Sequence, residues 1–97
     1  MTGYRITPTA ERDLREILQY VAEKDGIDRA LHLHGKLAEA FELLGASPGA
    51  GRVRADLTGP TVRWWTVFKF MIVYEAESSP VEILRVLHGM RDLGAIL

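Results

Sequence analysis

The chain has 97 residues, of which 47% are hydrophobic and 26% charged, a composition typical of one small globular domain spanning 1–97. Its 12 basic and 13 acidic side chains give a net charge of −1, which argues against a general affinity for nucleic acid but leaves room for a local patch. Cysteine is absent, which excludes disulfides and thiolate chemistry, and with no membrane span or signal peptide we expect a cytoplasmic protein without a cofactor.

The first half of the chain predicts a short strand followed by two helices. Tyr4 to Thr7 favour a strand, and Thr7 can cap a helix that has Pro8 at its first position. Apolar residues then repeat every three or four positions through about four turns. Asp25 and Gly26 break this helix, Asp28 is expected to cap the next one, and so short a link predicts an antiparallel helical hairpin. The apolar stripes are Ala10, Leu14, Ile17 and Val21 in the first helix, and Ala30, Leu33, Leu37, Phe41 and Leu44 in the second.

The second half predicts a loop and three strands. Glycine and proline dominate Ser47 to Pro60, which predicts a surface loop, and the absence of a phosphate-loop pattern argues against a nucleotide site there. Three runs of β-branched and aromatic residues follow, and they predict an antiparallel meander. The predicted fold is therefore α+β, in the order β-α-α-β-β-β, with an antiparallel twisted sheet covered on one face by the helical hairpin. The predicted strands are Val62 to Val67, Phe70 to Ala76 and Val81 to Leu87.

Strand pleating places apolar side chains on both faces of this sheet. Val62 and Trp64 point to one face, and Trp65 and Val67 point to the other. The hairpin can cover only one face, so the second predicts a partner site, unless a bulge changes the phase or the terminal segments fold over it. One of the two adjacent tryptophans is expected in the core. The other either anchors a partner or is covered by the chain's own tail.

Four segments together resemble the RelE/ParE toxin superfamily, and within it the ParE branch, over nearly the whole chain. They are YRITPTAERDLREI, SPGAGRVRADL, VRWWTV with FKFMIVYE, and VEILRVLHGMRDL. The resemblance implies the fold given above and a bacterial type II toxin-antitoxin system, in which the flexible C-terminal segment of an antitoxin wraps the toxin. RelE-like members cut messenger RNA on the ribosome, whereas ParE-like members poison DNA gyrase. The implied partners are a ParD-like antitoxin in a hetero-oligomer and DNA gyrase, with operator DNA contacted only through the antitoxin.

The sheet lacks the cations that the nuclease branch would use. Metal-free RNA cleavage needs a base near the 2′-hydroxyl and cations that hold the phosphate. By resemblance, Met71 stands where that branch has a phosphate-binding arginine, Val62 and Trp64 stand where it has lysines, and no tyrosine follows Arg91. We therefore expect a gyrase inhibitor that acts by binding and has no catalytic residue. Two alternatives stay open: a ribosome-dependent messenger endonuclease, and a non-toxic partner that assists autorepression of the operon.

A small set of residues is predicted to contact the antitoxin or gyrase. Arginines at three positions can form a cationic group if the register brings them together, although Arg91 can equally pair with Asp92 or Glu82 on the surface. A structural role for His88 is favoured over a catalytic one. His32 and His34 point about 200° apart on a helix and so cannot share a metal. The predicted contact residues are Arg63, Trp64, Met71, Arg85, His88 and Arg91.

Overall fold

The structure, a computed structural model, describes residues 3–89. Within this range the sheet has the strand order β1-β5-β4-β3-β2. The meander β3-β4-β5 is antiparallel, as predicted, whereas β1 pairs in parallel with β5. The predicted α+β fold is thus confirmed, and neither described helix is long and apolar enough to cross a membrane. The elements are β1 (Tyr4–Ile6), α1 (Pro8–Asp25), α2 (Ile27–Ala46), a 3-10 turn (Pro48–Ala50), β2 (Arg52–Val53), β3 (Val62–Val67), β4 (Phe70–Glu75) and β5 (Val81–His88).

The two helices begin and end at signals that the sequence carries, with one exception. The Thr7 hydroxyl accepts a hydrogen bond from the Ala10 amide at 3.2 Å and donates one to the Ile83 carbonyl at 2.9 Å, so it caps α1 and ties it to β5. Gly26, with a φ of 97°, separates α1 from α2 in a conformation that favours glycine. The predicted cap at Asp28 was wrong. Gly26 is both the C-cap of α1 and the N-cap of α2, so α2 begins at Ile27 without a side-chain cap.

The helical hairpin buries the predicted stripes against one face of the sheet. Of the predicted positions, Leu14 is half-buried against the core and the others are buried. The sheet contributes Phe70, Ile72 and Tyr74 from β4, with Ile83 from β5. Because large apolar side chains from both layers become almost fully buried, this core is the main source of folding free energy.

A bulge in β5 shifts the phase of that strand. Val73 of β4 pairs with Arg85, but the next residue, Tyr74, pairs with Ile83, which leaves Leu84 as the extra residue. Ile83 and Val86 consequently both join the core under the helices. The phase of β3 and β4 is the predicted one.

The segment Ser47 to Pro60 is more structured than the predicted surface loop, because it contains the 3-10 turn and β2. The buried Tyr74 hydroxyl accepts a hydrogen bond from the Gly51 amide at 2.8 Å and donates one to the Pro48 carbonyl at 2.7 Å. Arg63 adds a bond from its Nη1 to the Gly51 carbonyl at 2.7 Å. Burial raises the pKa of Tyr74 above its ordinary value, so the hydroxyl stays protonated and able to donate.

Candidate partner-binding surface

The sheet face away from the helices, called the second face below, carries its own apolar cluster. Trp64, Val73 and Leu87 are buried there, with Val62 and Met71 partly buried against them. Trp65 and Val67 pack instead against the core under the helices. The alternation read from the sequence is therefore confirmed, and both faces of the sheet are apolar.

The loop between β2 and β3 covers part of the second face. The Trp64 side chain is only 3% exposed, its Nε1 donates a hydrogen bond to the Thr58 hydroxyl at 2.9 Å, and Leu57 packs against it. The Arg54 guanidinium lies 5.8 Å from the centroid of the indole, and a hydrogen bond from Arg54 lowers the pKa of the exposed Asp56. The β2–β3 loop thus supplies much of the cover that was predicted to come from a partner or from the chain's own tail.

A cleft of about 330 Å³ remains open at the edge of this cover. It combines cationic and apolar walls, and Arg52 faces Trp64 across the β2–β3 pair. Such a cleft can take one apolar side chain or one anionic group of a partner. The sequence pattern did not mark Arg52 and Arg54 as site residues, because a two-residue strand inside a glycine-rich segment has too weak a pattern to place them on the sheet. The walls are Ala50, Arg52, Arg54, Trp64, Trp65, Thr66 and Met71.

The register does not bring Arg63 and Arg85 together. Arg63 pairs with Tyr74 and Arg85 with Val73, and successive residues of a strand face opposite sides of the sheet. Arg63 donates hydrogen bonds to the carbonyls of Gly49 in the 3-10 turn and of Gly51 just before β2. The third arginine of the predicted group, Arg91, lies outside the described residues.

Arg85 is fixed by Asp13 of α1, which has a structural task of its own. The Asp13 carboxylate accepts hydrogen bonds from Arg85 Nε at 2.8 Å, from Arg85 Nη2 at 3.2 Å and from the Val86 amide at 3.0 Å. This amide lies beyond the end of β1, where no strand within residues 3–89 neighbours β5 on that side. Asp13 therefore provides a hydrogen-bond acceptor for a backbone amide at the edge of the sheet, and it joins this edge to α1.

Replacing Asp13 by Ala is expected to lower the free energy of unfolding by about 1 to 2 kcal/mol, because the Val86 amide and Arg85 lose a charged acceptor while the half-exposed guanidinium recovers water. Urea unfolding of the variant measures this. Glu16→Ala, an exposed carboxylate on the same helix, is the control and should change stability by less than about 0.5 kcal/mol. Equal midpoints for the two variants would mean that the Asp13 contacts contribute nothing to stability.

His88 lies on the side of the sheet that the helices cover. Its ring meets the edge of Phe70 with centroids 5.5 Å apart and planes at 89°. The predicted contact residues thus do not share one surface. Trp64 and Met71 lie on the second face, whereas Arg63 and His88 lie on the face that the helices cover. Arg85 binds Asp13 of α1. Their role in partner binding stays a prediction.

Comparison with known proteins identifies the family. The family described as the ParE toxin of the type II toxin-antitoxin system parDE matches residues 4–93. Toxin ParE3 of Caulobacter vibrioides is 33% identical over 85 residues, which cover 88% of this chain and 84% of that protein. A solved structure described as a chromosomal ParDE toxin-antitoxin system from P. aeruginosa superposes with a TM-score of 0.76 at 26% identity, covering 91% of this chain and 96% of that one.

These matches include the strands, the helical hairpin and the second face, so the similarity extends over the whole fold and is not limited to one motif. The chain therefore belongs to the ParE toxin family, and it is a ParE-type toxin of a ParDE toxin-antitoxin system. The resemblance read from the four sequence segments is confirmed.

Proposed function

We propose that this toxin inhibits DNA gyrase by protein contact, without catalysis, in the cytoplasm, and that a ParD-like antitoxin neutralises it. The observation that carries the proposal is the apolar character of the second face. Trp64, Val73 and Leu87 form its centre and Met71 lies beside them, at the place where a ribonuclease of the same superfamily would need cations around the scissile phosphate.

The arginines near this face support the same proposal. Arg54 is paired with Asp56 at 3.3 Å and lies over the Trp64 ring, and Arg85 is held by Asp13. A guanidinium that is paired with a carboxylate has part of its charge neutralised and fewer N–H donors left for a phosphate. Arg52 is the cation of the cleft for which the described residues provide no such carboxylate, and one guanidinium without a neighbouring base is a poor nuclease site.

The antitoxin is proposed on the analogy of the P. aeruginosa ParDE system. A flexible segment of a ParD-like protein would lie along the second face and contact Met71, the Arg52 cleft and the loop over Trp64. Operator DNA would be bound only through the antitoxin. An assembly in which this chain is an inert co-repressor is the remaining alternative, and toxicity on expression separates it from the other two.

Expression of the chain without its antitoxin is expected to stop DNA replication, induce the DNA-damage response and make the cells filament, while protein synthesis continues at first. Pulse labelling of DNA and of protein in the same culture measures both processes. Co-expression of the antitoxin should restore growth. An immediate stop of translation without DNA damage would contradict the proposal in favour of the nuclease, and normal growth at high expression would favour the co-repressor.

A further inference from the structure

A second groove, which shares no lining residue with the Arg52 cleft, lies between the tip of the helical hairpin and the β3–β4 turn. Its volume is about 360 Å³, enough for one or two side chains of a partner. Val21, Leu33 and Phe70 belong to the core and form its floor. Tyr20 of α1 and Phe68 of the turn stand at its rim, 46% and 62% exposed.

Phe68 occupies a position that its own fold does not favour. It is the first residue of a two-residue hairpin loop and has a φ of 55°, a conformation for which glycine is usual there. An L-residue with a large side chain is strained in this backbone conformation. Its ring touches His32, with centroids 6.2 Å apart, but stays mostly in solvent and recovers little by burial. An aromatic side chain that is strained and exposed in the free chain indicates a contact made in a complex.

The groove is cationic although the whole chain has a net charge of −1. Lys24, Arg29 and Lys69 line it against the single carboxylate of Asp25. Lys24 is bound to Tyr20 through the hydroxyl at 3.2 Å and lies over its ring. Within residues 3–89, the side chains of Arg29 and Lys69 form no ion pair and no hydrogen bond. Two cations beside exposed aromatic rings favour a ligand that carries both carboxylates and an apolar side chain.

We propose that this groove binds an acidic segment of the antitoxin, with an aliphatic or aromatic side chain between Tyr20 and Phe68 and carboxylates on Arg29 and Lys69. This assignment rests on the proposed function and adds a second contact region, separate from the second face. A segment that spans both regions would gain affinity from each, since the second contact forms within a complex that already exists.

Binding of the purified antitoxin to the full chain by isothermal titration calorimetry tests the assignment. Phe68→Gly removes the ring and relieves the backbone, so its unfolding midpoint should equal or exceed that of the parent chain, while the Kd for the antitoxin rises about tenfold or more. Arg29→Glu should also raise the Kd about tenfold, with a smaller effect in high salt. The matched control is Arg12→Glu, the same charge reversal at an exposed position of α1 outside the groove, which should leave the Kd unchanged.

The outcomes separate the two proposals. Tight binding by the parent chain with an unchanged Kd for Phe68→Gly and Arg29→Glu would overturn the groove assignment alone. Absence of any binding by the parent chain would overturn the proposed antitoxin together with it. Sedimentation of the free chain supplies a further check: if Phe68→Gly abolishes self-association and leaves the antitoxin Kd unchanged, the groove binds a second copy of the chain and the assignment is wrong.

Discussion

Leu37→Ala is expected to lower the free energy of unfolding by about 2 to 5 kcal/mol, because it leaves a cavity between α2 and the sheet in addition to removing buried apolar surface. The side chain is 1% exposed, and its neighbours belong to one closely packed core. Chemical denaturation followed by circular dichroism measures the change. Since a domain of this size has only about 5 to 15 kcal/mol of stability, toxicity should fall with the folded fraction.

The same helix offers a matched control in Leu31, which is 62% exposed. Leu31→Ala makes the same chemical change without creating a cavity, and alanine is the better helix former, so stability should change by less than about 0.5 kcal/mol. Similar losses for both variants would mean that α2 presents a different face to the sheet from the one described.

Gly51→Ala is expected to lower the free energy of unfolding by about 2 to 3 kcal/mol, because the site has no room for one more carbon. A Cβ at this position would lie 2.5 Å from the Tyr74 hydroxyl oxygen and 2.9 Å from the Trp64 carbonyl oxygen. Tyr74 is fully buried and its hydroxyl is bonded to the same segment. The ring cannot move aside without loss of the hydrogen bonds that hold the 3-10 turn and β2 against the sheet.

Gly49→Ala provides the comparison in the 3-10 turn that immediately precedes Gly51, since no heavy atom lies within 4 Å of a Cβ built there. This variant should unfold at the parent's denaturant midpoint or slightly above it, because alanine restricts the unfolded chain. Denaturant unfolding of both proteins distinguishes a steric effect at Gly51 from a general intolerance of substitution in this segment. Equal midpoints for Gly51→Ala and the parent chain would show that Tyr74 does not pack against this backbone.

The sequence predicted best which side chains face the core in helices and strands that have a regular apolar repeat. The stripe that includes Leu37 and Phe41, and the alternation of Trp64 with Trp65, each follow directly from helix and strand geometry, and both predict the correct face. Gly26 and Thr7 likewise carry local signals for the helix boundaries. The predicted ParE-type family followed from the order and spacing of four segments, because no single segment is specific.

The features that the sequence did not predict depend on long-range contacts. The β2 strand exists because Arg52 and Val53 pair with β3, while Tyr74 and Arg63, more than ten residues away along the chain, bind the backbone of Gly51 just before it. Leu84 becomes a bulge only when β5 pairs with β4. Whether Arg63 and Arg85 meet likewise depends on the register and on Asp13, and in this fold they do not meet. The role of Phe68 could not be read from its residue type, since its backbone conformation and exposure carry the argument.

Supercoiling of relaxed plasmid by purified gyrase, in a reaction that contains ATP but no ribosome, tests the central claim most directly. The toxin should inhibit supercoiling or trap the cleavage complex in proportion to its concentration, and antitoxin added first should prevent this. His88→Ala should retain inhibition in proportion to its folded fraction, because the ring packs on Phe70 and has no proposed catalytic task. Full supercoiling at saturating toxin, together with codon-specific cuts of messenger on purified ribosomes that His88→Ala abolishes in a folded protein, would contradict the account.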